Sequence, residues 1–81
     1  MIKIKSQKTL WGSCSSKNNI NLNINLIKLD QELIDYVILH ELTHLNIKNH
    51  SKKFWQELEK LEPKAIILDK KLKNYNLNYK I

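Results

Sequence analysis

His40-Glu41-Leu42-Thr43-His44 is a short pattern with a definite chemistry. On a helix, side chains at i and i+4 lie about 40° apart around the axis and one turn apart along it, so two imidazoles can converge on a single ion. Glu41 projects between them, placed to hydrogen-bond a water at that ion without itself ligating. His50 follows six residues after His44, just before Ser51, where the chain can turn back to offer a third nitrogen. Three protein ligands and one open position make the catalytic zinc pattern, whereas structural zinc usually takes four protein ligands. The spacing therefore predicts one Zn2+ per chain held by His40, His44 and His50, with Glu41 as the catalytic group. The competing reading is a hydrogen-bonded core cluster of His and Glu, which must find another partner for each buried polar group.

For the two histidines to share a face, the segment must be helical. Asp30 is placed as an N-cap, followed by Gln31, Glu32 and Leu33, and the helix is expected to run to about Lys48. On a 100° wheel, Leu33, Val37, His40, His44 and Ile47 share one stripe, and Ile34, Ile38, Leu42 and Leu45 share another. A helix apolar over most of its circumference is a central, buried one. Ser51 can cap a second helix with Phe54, Leu58 and Leu61 facing inward. Pro63 ends it and suits the first turn of a third helix reaching about Asn74, anchored by Ile66, Ile67 and Leu72. Upstream, Asn19 to Leu26 alternates Asn with Ile or Leu in a strict period of two, the mark of a half-buried strand. Ile2 to Lys5 and roughly Lys8 to Gly12 are weaker strand candidates. The turn chemistry from Gly12 to Asn19 folds Leu10–Trp11 and Ile20–Leu26 into a hairpin. Strands first and helices after predict an α+β domain: a short N-terminal antiparallel hairpin or sheet on a central helix, followed by two C-terminal helices.

The chain has 81 residues, enough for a single domain spanning 1–81, with 42% hydrophobic residues. A core of that size is marginal, and a metal would staple it. Cys14 is the one cysteine, so no intrachain disulfide can form, which points to a reducing compartment. No apolar run is long enough to span a membrane and no secretory signal precedes the domain, so a cytoplasmic location is expected. The net charge is +6, and all fourteen basic residues are lysine. Arginine, which reads phosphate and guanine bidentately, is absent, and lysine accompanies an abundance of Asn and Ile. Any nucleic-acid binding is therefore expected to be weak and non-specific.

Trp11-Gly12-Ser13-Cys14-Ser15, the Asn-rich strand, Asp35-Tyr36-Val37, His40-Glu41-Leu42-Thr43-His44-Leu45, and His50-Ser51 with Phe54-Trp55 together resemble the YgjP-like metallopeptidase family. That family belongs to the zincin group and is related to the SprT-like proteases. The resemblance covers about residues 3 to 75, in order and with matching spacing. It implies a zincin-like fold, zinc ligation by His40, His44 and His50, and Glu41 as general base. It also implies that the hairpin lies beside the catalytic helix, its edge strand offering main-chain groups to an extended peptide. Relatives usually carry further N-terminal strands, and this chain begins at Ile2-Lys3-Ile4. That leaves a sheet edge open to substrate or to another copy of the protein.

The expected activity is zinc-dependent hydrolysis of peptide bonds in a protein or peptide substrate. Two alternatives stand beside it: a non-catalytic, zinc-stabilised protein-binding module, and a nucleic-acid-associated SprT-like protease. Cys14 could be a fourth ligand, but a lone cysteine in a turn is more often a small packed side chain. Trp11 and Trp55 are expected in the core rather than lining a groove. Tyr36, one turn before His40, could reach an oxyanion, although a core tyrosine with its hydroxyl at the surface is commoner. Tyr75 and Tyr79 offer the same choice.

Overall fold

The turn from Ser15 to Asn19 organises the N-terminal half. In this computed structural model, which describes residues 1–75 and 81, Ser15 Oγ accepts from the backbone N–H groups of Lys17 and Asn19. Asn18 takes φ 63°, the left-handed conformation that asparagine tolerates better than most residues. The turn joins β2 (Gly12–Cys14) to β3 (Ile20–Asn23) in an antiparallel hairpin, with Gly12 opposite Leu22 and Cys14 opposite Ile20. The hairpin is thus the expected one, with its first strand two residues further along. β1 (Ile2–Lys5) joins the other side of β3 in parallel, so beyond the hairpin the sheet is mixed rather than antiparallel as expected, in the order β1-β3-β2. All four β1 residues are exposed.

The period-two pattern runs to Leu26, but the strand stops at Asn23 and a 3-10 turn occupies Ile24–Lys28. Asn23 causes the change. Its side chain is buried, accepts from Asn25 N–H, and donates to the carbonyls of Gln7 and Leu10. A local side-chain cap replaces the next rung of the ladder.

Helix α1 (Gln31–Thr43) is shorter than the expected run to Lys48. Asp30 occupies the N-cap position, yet its carboxylate pairs with Lys71 at 3.2 Å and makes no capping bond. At the other end Thr43 Oγ1 bonds back to the Leu39 carbonyl and His44 forms the C-cap, still with helical dihedrals. α2 (Lys52–Leu61) has the Ser51 cap, whose hydroxyl accepts from Phe54 N–H at 3.4 Å. α3 covers Ala65–Tyr75, just beyond Pro63.

One apolar cluster joins Trp11, Leu26 and Leu29 to Leu33, Tyr36 and Val37 of α1, Phe54 and Leu58 of α2, and Ala65, Leu68 and Leu72 of α3. Three expectations about facing are corrected here. Ile66 and Ile67 are exposed, because Ala65, Leu68 and Leu72 take the inward stripe; Leu61, at the end of α2, is exposed as well. The second stripe of α1 is only half-buried at Ile34, Ile38 and Leu45 and exposed at Leu42, so α1 is covered on one side rather than around most of its circumference. The architecture is the expected α+β arrangement of a small sheet and three helices. Among the described residues, no helix is long and apolar enough to cross a membrane.

Candidate metal centre

α1 and its C-cap carry His40, Glu41 and His44 on the side that faces α2 and β2, and all three are buried. After His44 the chain leaves the helix, turns through 45–49 and returns with His50, which is exposed. One ligand atom from each of His40, His44 and His50 lies within 4.8 Å of the others, so the three could hold a metal ion. The ring of Phe54 backs the cluster, with centroids 4.9, 4.5 and 5.1 Å from His40, His44 and His50. It is fully buried and supplies a dry wall from the first turn of the Ser51-capped helix. Trp55 is half-buried, its ring 6.4 Å from that of His40.

Hydrogen bonding orients the rings. His44 Nδ1 lies 2.9 Å from the Ile47 carbonyl, which can only accept, so Nδ1 carries the proton and Nε2 presents its lone pair. That Nε2 is 3.1 Å from His50 Nε2, close to the roughly 3.3 Å between two nitrogens sharing one tetrahedral ion. The segment that brings His50 back is fastened by Lys48. Its ammonium donates to the Ser15 carbonyl at 3.2 Å and to Asn18 Oδ1, and lies 3.7 Å from Cys14 Sγ. Cys14 is half-buried on β2 and is not one of the clustered metal-binding side chains among the described residues.

Three buried polar atoms next to the cluster lack hydrogen-bond partners: His40 Nδ1 and both carboxylate oxygens of Glu41. His40 Nδ1 and Glu41 Oε2 stand 3.5 Å apart, too far for a good hydrogen bond. Leaving such groups unpaired in a core costs about 1–3 kcal/mol each, more when charged. A hydrogen-bonded His/Glu core would not show this. Imidazole nitrogens with a free carboxylate alongside are a donor set that fits a divalent zinc-like ion, and a small domain gains stability from binding one.

Partial desolvation of the His50 ring, and then its closeness to the His40 and His44 imidazoles, lower its pKa from the ordinary 6.5. The proton is held less readily in the folded chain than on a free imidazole, so the neutral, ligating form extends to more acidic pH. Metal content should accordingly stay constant as pH falls from about 8 to about 6.5 and drop only below that. Metal analysis after dialysis across this range checks it; loss of half the metal above about pH 7 would contradict it.

Tyr36 is a core tyrosine, as expected, but its hydroxyl is not at the surface. It is fully buried one turn before His40, and its hydroxyl donates to Asp69 Oδ1 at 3.0 Å rather than reaching the surface or the cluster. Burial first, and then the Asp69 charge, push its pKa up, so it stays a donor. Lys73 holds the other Asp69 oxygen at 2.8 Å. The Tyr36 ring stands edge-on to His40 at 5.8 Å, which ties this buried network to the cluster. Asp69 was not singled out in the sequence; its signal is its place in the inward stripe of Ala65, Leu68 and Leu72, four residues before Lys73. Trp11 is in the core as expected. Tyr75 bonds the Lys28 carbonyl, away from the histidines, and Tyr79 lies outside the described residues.

The chain matches known proteins over nearly its whole length. The model of a family described as YgjP-like, metallopeptidase domain, matches residues 1–75. An uncharacterized protein of Methanocaldococcus jannaschii is 44% identical over an alignment of 61 residues, which covers 70% of this chain and 56% of that protein. The chain thus spans little more than half the length of that curated relative. The crystal structure of the metallopeptidase zymogen of Pyrococcus abyssi abylysin superimposes with a TM-score of 0.83 at 26% identity, covering 99% of this chain and 81% of that one.

Proposed function

Because the chain belongs to the YgjP-like metallopeptidase family, we propose that residues 1–81 form one zincin-like domain that hydrolyses peptide bonds with a zinc ion and a glutamate general base. The observation that carries the reading is the convergence of three imidazoles beside a buried carboxylate with both oxygens unengaged. His40, His44 and His50 would hold the zinc. When bound, it would supply Lewis acidity, polarising the scissile carbonyl and making a water more acidic.

The chain's own groups do the rest. Glu41 has no competing hydrogen bond, so either carboxylate oxygen can take the proton of the attacking water and deliver it to the leaving nitrogen. Its burial strengthens that exchange by excluding bulk solvent. The Ile47 carbonyl holds His44 in the ligating tautomer, and Phe54 keeps the far side of the cluster dry. β2, one of the sheet's two edge strands, packs beside α1, and its outer edge suits an extended protein or peptide substrate. Zinc analysis of the purified protein, together with proteolysis by the parent and its Glu41→Gln variant, tests the proposal. Zinc-loaded protein without Glu41-dependent turnover would favour a metal-stabilised binding module instead.

The charge carries a separate expectation. With lysine as the only basic residue type, binding to DNA should be non-specific and vanish at moderate salt. A titration against two unrelated duplexes at low and physiological salt checks this. Sequence-selective binding tighter than about 1 µM at physiological salt would favour a nucleic-acid-associated protease.

A further inference from the structure

Glu41 is buried, yet no hydrogen bond holds its carboxylate, so packing must set where that group lies. The element lying against it is β2. A Cβ built on Gly12 would stand 3.2 Å from Glu41 Oε2 and 3.3 Å from Glu41 Cγ, and 3.3 Å from the Asn21 carbonyl oxygen of β3. These separations are shorter than the roughly 3.5–4.0 Å of ordinary carbon contacts. Glycine inside a strand weakens it and often marks close approach by another group. Here the approaching group is the carboxylate stem.

Resting on the reading of Glu41 as the general base, we infer that Gly12 is a positioning residue for the Glu41 carboxylate. The bare Cα of Gly12 forms one wall of the space that the carboxylate occupies, and His40 Nδ1, 3.5 Å from Oε2, bounds another side. A methyl group at position 12 has to displace either a backbone carbonyl in a paired strand or the unrestrained end of a side chain. The side chain gives way first. The carboxylate then swings out of line while α1 and the three imidazoles keep their places. Proton transfer depends steeply on such placement, and a shift of about 1 Å can cost a hundredfold in rate.

The test is a double-mutant cycle read in two ways. Gly12→Ala in the parent should lower kcat on a fluorogenic peptide by about tenfold or more, with KM and zinc content within about twofold. It should also lower the melting temperature by about 5 °C, the mark of an overpacked contact. In a Glu41→Ala background the same substitution should shift melting by no more than about 2 °C, because the methyl enters vacated space. Equal melting losses in both backgrounds would overturn the inference, since the Asn21 carbonyl would then be the true conflict. So would an unchanged kcat in Gly12→Ala. If Gly12→Ala fails to fold, recovery of folding in the double variant supports the inference and failure of both overturns it. Absence of hydrolysis by the zinc-loaded parent would defeat the peptidase reading instead, and the melting comparison would still decide whether Gly12 places Glu41.

Discussion

Glu41→Gln should keep its zinc and its fold and lose turnover by about a hundredfold or more, the usual contribution of a general base. The substitution preserves side-chain length and shape, so the close contact with Gly12 survives. It removes no hydrogen bond to another protein group, because neither Glu41 oxygen makes one. It also leaves the three imidazoles untouched, so the melting temperature should change little. What disappears is the ability to accept a proton. His50→Ala offers the contrast: it removes an exposed, loop-borne imidazole from the cluster, weakens metal binding first, and loses activity only as a result. Hydrolysis of denatured protein or a fluorogenic peptide library, with zinc measured on the same samples, separates the two. A Glu41→Gln protein that cleaves as fast as the parent would reduce Glu41 to a helix residue.

Removing the metal should have the other large effect. His40, His44 and His50 sit against Phe54 at the junction of α1 and α2, so an ion there would tie two helices of a small core. At a free concentration a thousandfold above its dissociation constant, a ligand stabilises the folded state by about 4 kcal/mol. In a domain of this size each kcal/mol is worth roughly 4–8 °C, so chelation should lower the melting temperature by about 15 °C or more. The His40→Ala/His44→Ala double variant should melt at one temperature with or without chelator and contain no stoichiometric zinc. Equal metal content in that variant and the parent would mean that the ion binds elsewhere.

The site was far more legible in the sequence than the surroundings that tune it. His40, Glu41 and His44 are related by helix periodicity, a local property, and the Ser51 cap announces the turn that returns His50. Gly12, Asn23 and Asp69 act through residues far away in the chain. Nothing near Asn23 shows that its amide will bridge the Gln7 and Leu10 carbonyls, so the alternation past it looked like more strand. The run Ala65-Ile66-Ile67-Leu68 allows two inward faces. Hydrophobicity favours the isoleucines, while packing selects Ala65, Leu68 and Leu72, which leave room for Asp69 to meet Tyr36. The α1 terminus moved for a related reason: ending at Thr43 frees the following residues to turn back.

All three imidazoles come from the segment 40–50, one helical turn and the short connection after it, whereas the strand that covers Glu41 comes from the distant N-terminal half. Closing so short a loop sacrifices little chain entropy, and the β2–β3 hairpin is equally local; seating that hairpin on α1 is the non-local step. The imidazole cluster is thus a property of one short segment, whereas the wall against the carboxylate exists only once the two halves of the domain have met.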